Sequence, residues 1–294
     1  MAFRQTVKGL LNVFEDFPTR TILLPLFRGF GLSKLYVFTI TIFDSMHGDQ
    51  RSRWLQEGFS SSPGYSCPTC GIGMLVTKKG WNLSKMNASS HYQPEGYLLQ
   101  FPEESEEHFA GLLSCSNGHC SESVAISGIV KFIPFPGSLY NDVRRNYIPK
   151  FFLPALRIIA VGHTCPSTVK EQINKSFTHF FNDLGACGNA IRRAVECLVA
   201  FFEEKNGIVV DPKKVSLQTR INGFTEGEEI KPFLEAVKWI GNYGSHTGTE
   251  LGKNEILDAY EFLEHCLYEL FEKEEKMFQL KTRAEQINNN KGPS

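Results

Sequence analysis

Two close cysteine pairs, Cys67-Pro-Thr-Cys70 and Cys115-Ser-Asn-Gly-His-Cys120, constrain this chain more than any other feature of its sequence. A Cys-x-x-Cys turn followed by glycine (here Gly71) aims two sulfurs at one tetrahedral ion, and a second pair closes the site. The spacing predicts a structural Zn2+ held by Cys67, Cys70, Cys115 and Cys120. His119 stands beside Cys120 as an alternative fourth ligand; the thiolate is preferred because it needs no special ring placement. Free thiols or a disulfide are the competing reading. Four thiolates leave no open coordination position, so the ion would hold a fold rather than perform chemistry. It would supply on the order of 10 kcal/mol to a module with little core of its own.

The other four cysteines, Cys165, Cys187, Cys197 and Cys266, are scattered singly. In helical patterns such thiols act as small hydrophobes, so the distribution fits a reducing, cytoplasmic setting with one metal site better than a disulfide framework. The charge is nearly balanced, 31 Lys+Arg against 32 Asp+Glu, which excludes a basic field over the whole molecule but not local patches. Arg144-Arg145, Lys150 and Lys213-Lys214 are such patches. Residues 21–43 are apolar, but Pro25, Arg28, Gly29, Gly31 and Lys34 interrupt them short of the roughly 18–20 residues a spanning helix needs. No stable membrane insertion is expected, nor a signal peptide; a strand over Tyr36–Phe43 is.

Patterning divides the chain into an α+β arrangement. Residues 1–59 are an extension of uncertain fold, with a polar linker at 44–66 leading to the first cysteine pair. Residues 60–135 read as a small β module, zinc-ribbon-like, with strands at Met74–Thr77, Tyr97–Phe101, Leu112–Cys115 and Ala125–Phe135 and turn-rich polar stretches between. Prolines 134, 136, 149, 154 and 166 favour an extended connection over 136–166. From 167 to 281 the apolar period becomes helical. Ser167 or Thr168, with Glu171, has capping-box spacing, the run Leu184–Gly188 loosens the pattern, and Asn206-Gly207 stops a helix. Further helices carry Phe233, Val237 and Ile240, then Ile256, Tyr260, Leu263, Leu267 and Leu270. Residues 282–294 read as a flexible tail.

Four segments in this helical half, CPSTVKEQI, AIRRAVECLV, AVKWIGNYGSHTG and DAYEFLEHCLYELF, occur in an order that resembles the family called domain of unknown function 4145, over about residues 165–271. The CPTCG knuckle is a common companion in such proteins. The resemblance implies a HEPN-like helical bundle, intracellular and often associated with restriction or phage-defence systems. HEPN ribonucleases carry an Arg, usually followed by a polar residue, then a His four to six positions beyond the Arg, and act as dimers. His246 and Asn242 match the His and the polar residue, but Gly241 occupies the Arg position. Lys238, or Arg192 or Arg193 on a facing helix, would have to supply the cation. The plain structural reading is an Arg193–Glu196 pair, Asn242 as a helix cap with Gly241 and Gly244 in the turn, and His246 as a hydrogen-bonded structural histidine.

These features together lead to the expectation of a non-catalytic zinc-containing binding or regulatory protein, dimeric through its helical domain and engaging nucleic acid or a defence-system protein. A metal-independent ribonuclease using His246, Asn242, Lys238, Arg193 and Glu196 is the alternative. A protein–protein module without nucleic-acid contact is the third.

Overall fold

A computed structural model describes residues 48–87, 104–134, 143–243 and 251–292. The expected strands at Tyr36–Phe43 and Tyr97–Phe101, residues 21–43, and His246 with Gly244 lie outside the described residues. In chain order the elements are α1 (Gly48–Leu55), β1 (Leu75–Val76), β2 (Asn82–Met86), β3 (Glu106–Cys115), β4 (Ser123–Pro134) and β5 (Val143–Leu153), then the helices α2 (Ser167–His179), α3 (Leu184–Lys205), α4 (Leu217–Asn222), α5 (Lys231–Tyr243), α6 (Lys253–Leu267) and α7 (Lys273–Asn290). The α+β class is thus observed.

The strands form one antiparallel sheet in the order β1-β3-β4-β5. β2 pairs with the same edge of β3 as β1 does, further along (Leu75↔Cys115, then Asn82↔Gly111 to Met86↔Glu107). Alternation on β3 and β4 turns Phe109, Leu113, Val124, Ile126, Val130 and Phe132 to a buried face. The 136–166 stretch differs from its expected role as a connection. Val143–Leu153 is an edge strand paired along β4, and the register shift at Ser127/Gly128 pairs Gly128 with Pro149 and Ser127 with Phe151. A proline is tolerated at an edge and at a bulge, where its missing N–H breaks no ladder. Asn82–Met86, expected as a turn, is a strand because its Leu83 and Lys85 alternate with half-buried neighbours against β3.

The helices surround α3, whose buried stripe runs through Cys187, Ile191, Ala194, Val195, Leu198 and Phe202. Asp183 caps α3, accepting from Ala186 N–H at 2.8 Å, so the helix begins at Leu184 where a loosening was expected. α2 begins after Pro166 without a side-chain cap, so the Ser167/Thr168 capping box does not form. Asn206 and Gly207 (φ +69°) do end α3. The buried side of α5 is Leu234, Val237, Lys238 and Gly241, rotated from the expected Phe233–Val237–Ile240 face. Phe233 instead meets His265 and Phe262 at ring-centroid distances of 4.9 and 5.6 Å. α7 continues to Asn290, well past the expected fraying point at Lys281.

α1 lies within the expected linker, yet it clasps the two modules. Arg51 bonds Asp258 Oδ1 at 2.6 Å and Glu261 Oε2 at 3.3 Å on α6. Trp54, 4% exposed, stacks on Tyr65 (5.1 Å) and meets Phe180 edge-on (5.8 Å). Phe152 of β5 and Phe181 approach to 4.7 Å in the same aromatic cluster. Among the described residues no helix is long and apolar enough to cross a membrane.

Candidate metal centre

The first knuckle is a tight backbone loop: Gly71 N–H donates to Cys67 C=O at 2.9 Å, and Cys67 N–H to Gly73 C=O at 2.7 Å. Gly71 sits at φ +68°, a left-handed conformation natural to glycine. The second knuckle closes the β3–β4 hairpin. There Cys120 and Ser121 N–H both donate to Asn117 C=O at 3.0 Å, and Cys115 N–H donates to Glu122 C=O at 2.9 Å. Links between the knuckles include Thr69 Oγ1 donating to Glu122 Oε2 at 2.6 Å, Met74 N–H to Ser116 Oγ at 2.9 Å and Ser116 N–H to Met74 C=O at 2.8 Å.

This frame gathers the sulfurs of Cys67, Cys70, Cys115 and Cys120 within 4.8 Å of one another. Cys67–Cys120 and Cys70–Cys115 are 3.9 and 3.7 Å apart. A tetrahedral ion with metal–sulfur bonds of about 2.3 Å requires sulfurs about 3.8 Å apart, so the donor set fits. All four cysteines are free thiols. His119 is exposed and outside the cluster, its N–H donating to Asn117 Oδ1 at 3.1 Å, so the sulfur of Cys120 fills the fourth corner.

Backbone amides face the sulfurs. Gly73 N–H donates to Cys70 Sγ at 3.4 Å and Asn117 N–H to Cys115 Sγ at 3.3 Å. The amides of Gly73 and Ile72 bring the Cys70 thiol down to about 6, while burial pushes Cys115 up to about 12. The two thiols are thus shifted in opposite directions, and a bound cation would have to displace the proton that burial favours on Cys115. Gly73 is a closely packed part of the site that motif spacing alone does not single out. A Cβ there would overlap Cys115 Sγ and lie 2.8 Å from Asn117 N. Its signal is only the second glycine of Gly71-Ile-Gly73.

The polar residues of the helical half are placed differently from the sequence expectation. Glu196 pairs with Arg192 at 2.8 Å rather than with Arg193, which is exposed. Gly241 and Asn242 lie inside α5, which reaches Tyr243, so Asn242 is not its cap. Gly241 is the point where α5 crosses α3: a Cβ there would lie 2.5 Å from Arg192 Cβ and 2.8 Å from Gly188 C=O. Position 241 is thus closed to any side chain while α3 and α5 keep this approach. Lys238 is buried, 4% exposed, donates to Gln218 Oε1 and lies 3.6 Å from the Trp239 ring centroid. Burial holds its amine below the ordinary lysine range; Glu235 pulls it back up and Arg192 adds to the depression. Lys238 and Arg192 are therefore near one another but already engaged. Gln218, unnoticed in the sequence, is the polar partner of Lys238 from α4 and donates in turn to Glu235 at 2.6 Å.

Residues 174–290 match the family described as Domain of unknown function (DUF4145), and residues 57–152 match the one described as Domain of unknown function (DUF8608). The first is the family the four helical segments resemble, although CPSTVKEQI falls just ahead of the matched span. The division follows the structure, sheet in one and helices in the other. No curated protein and no solved structure matches the chain.

Proposed function

We propose that this DUF4145-bearing chain is a non-catalytic binding or regulatory protein built around a structural zinc ion, and that it serves a nucleic-acid-directed, defence-type system. The observation that carries the reading is the four-sulfur cluster: Cys67, Cys70, Cys115 and Cys120 lie within 4.8 Å of one another, and four thiolates on one tetrahedral ion would leave no place for a reacting water. Zinc is the ion that such a four-thiolate cage with C-x2-C character takes for structural purposes, and its binding energy would secure the two knuckles that start and turn the sheet.

The helical module supports the non-catalytic half of the reading. Two of the cations that could meet a phosphate in a ribonuclease are tied down, Lys238 on Gln218 and Arg192 on Glu196, and Gly241 admits no arginine, while Arg193 is exposed. Arg144 and Lys150 of β5 are exposed and supply cationic surface for a nucleic-acid backbone, whereas Arg145 is held by Glu107 at 3.1 Å. The deciding experiment incubates the purified full chain and His246→Ala with labelled RNA, single-stranded DNA and duplex DNA on gels. A salt-sensitive shift without cleavage, equal in both proteins, is expected. Cleavage by the wild type that disappears in His246→Ala would replace this reading with a HEPN-like ribonuclease. Absence of any shift would remove nucleic acid as the ligand and leave a protein–protein module.

A further inference from the structure

Asn206 and Gly207 turn the chain back on the end of α3. Ile208 N–H donates to Glu203 C=O at 2.8 Å and Gly207 N–H to Glu204 C=O at 3.0 Å. The loop that follows is pinned at its far side as well. Val215 N–H donates to Asp211 C=O at 3.1 Å, and Ser216 caps α4 by accepting from Thr219 N–H at 3.1 Å. Between these fixed ends α3, the loop and α4 border a hollow of about 200 Å³. An apolar cavity of about 150 Å³ holds a benzene ring, so this one has room for a ring and a small polar substituent.

The walls are apolar. Val199, Phe202 and Phe224 are buried beneath the hollow, with Phe202 and Phe224 edge to face at 5.4 Å, while Ile208, Val210 and Val215 form the rim. Ile208 is 46% exposed, so a body seated here would take it out of water.

One ion pair stands among these walls. Arg220 of α4, its side chain 7% exposed, donates from Nε and Nη2 to the two oxygens of Glu203 at 2.7–3.1 Å. Both residues line the hollow, and both also line a second one across the loop. Nη1 has no partner among the described residues, yet it is not sealed from solvent. The openings beside a side chain this deeply buried are the two hollows it lines, so the N–H groups of Nη1 face them.

The pair restricts the charge of what can bind. Glu203 already neutralises the guanidinium, so a second carboxylate would meet an anion in place, and an ammonium would meet the bare N–H edge of Nη1. An apolar body carrying a neutral acceptor satisfies both the walls and Nη1.

We propose that this hollow is a binding site for a small neutral compound that joins a carbonyl or amide oxygen to a monocyclic or branched aliphatic body. The oxygen accepts from Arg220 Nη1, and the body packs against Phe202, Phe224 and Ile208. Glu203 is a positioning residue, because its grip on Nε and Nη2 leaves Nη1 for the ligand. The inference is independent of the zinc-centred reading, since the hollow lies wholly in the helical module and shares no residue with the cysteine cluster.

The test titrates four matched probes, benzamide, benzoate, benzamidine and toluene, into the full chain and follows its methyl NMR signals. Benzamide should bind saturably in the millimolar range and move the methyls of Val199, Ile208, Val210 and Val215. The other three should bind at least about ten-fold more weakly, toluene for want of an acceptor and the two ions for their charge. Val215→Phe fills the hollow and should abolish benzamide binding. Arg220→Lys, which keeps a cation for Glu203 but has no Nη1, should bind benzamide no more tightly than toluene. Thermal melts show that each variant is folded, and Val215→Phe decides the matter if Arg220→Lys is not. Equal binding of the four probes, no saturable binding of benzamide, or shifts confined to methyls elsewhere overturns the proposal. Preference for benzoate would overturn it in favour of an anion site, and binding that survives Val215→Phe would place the ligand outside the hollow.

Discussion

Replacing Gly241 by alanine sets two physical effects against each other with opposite signs. Helix propensity alone favours the change, since alanine exceeds glycine by about 1 kcal/mol in a helix interior. Packing opposes it. The new methyl would stand 2.5 Å from Arg192 Cβ and 2.8 Å from the Gly188 carbonyl oxygen, whereas carbon atoms at ease sit about 3.5–4.0 Å apart. The obstruction is backbone and a Cβ, neither of which can rotate away, so α3 and α5 must separate by roughly 1 Å. Overpacking of this kind costs about 1–3 kcal/mol and sometimes more. A contact as short as 2.5 Å belongs to the upper part of that range, about 2–3 kcal/mol, so the net expectation is a loss of roughly 1–2 kcal/mol, which lowers Tm by about 2–8 °C for a domain of this size. Gly188→Ala provides the comparison, because its methyl would approach the flexible tips of Ile256 and Leu251 at 3.2 Å and the Gly241 Cα at an ordinary 3.7 Å; it should lie near neutral. Calorimetry or circular dichroism melts of the three proteins decide the matter. A Tm for Gly241→Ala equal to or above the wild type would show that α3 and α5 do not cross through a backbone contact, and the exclusion of arginine at this position would fall with it.

Three further outcomes are expected. Gly73→Ala, which removes no ligand, should weaken metal retention by about 10–100-fold in a chelator competition, as a change beside the ligands does; unchanged retention would mean that the two knuckles are not closed upon each other. Trp54→Ala should cost about 3–5 kcal/mol in denaturant unfolding, and hydrogen exchange should rise in both the sheet and the start of α6; a small cost confined to residues 48–56 would refute the clasp. Glu264 accepts from Ala160 N–H at 2.9 Å, yet burial, and behind it Glu272 and Glu261, holds its carboxyl above the usual range. The folded state therefore binds the proton more tightly than the unfolded one, so this group lowers stability as pH rises through and above the unfolded glutamate value. Glu264→Gln should raise Tm at pH 7 and lose the advantage near pH 4; a variant equally destabilised at both values would contradict the assigned cause.

The cysteine pairs were legible because metal ligation demands residue type and spacing that chance seldom supplies, and the helical half because its buried stripes repeat over many turns. β5 was obscured by Pro149, whose usual meaning is a break, and which a bulged edge strand accommodates. α1 was hidden for another reason: eight residues are too few for periodicity, and its two anchors, Arg51 and Trp54, find partners roughly two hundred and ten residues away in one case and across the module boundary in the other. The role of Gly241 could not be read from its neighbours, since a glycine inside a helix declares itself only through the backbone that approaches it. Gly73 is the same lesson at the metal cage.

The central claim is a structural zinc ion in a cage of four thiolates. It is tested most directly by elemental analysis of the full chain, purified without added metal, beside the Cys70→Ser and Cys115→Ser variants. The account predicts one zinc per chain in the wild type, loss of most of it in either variant, and cooperative unfolding of the sheet when a strong chelator removes it. A metal-free wild type that keeps its sheet in the chelator, or a disulfide between any two of the four cysteines, would contradict it.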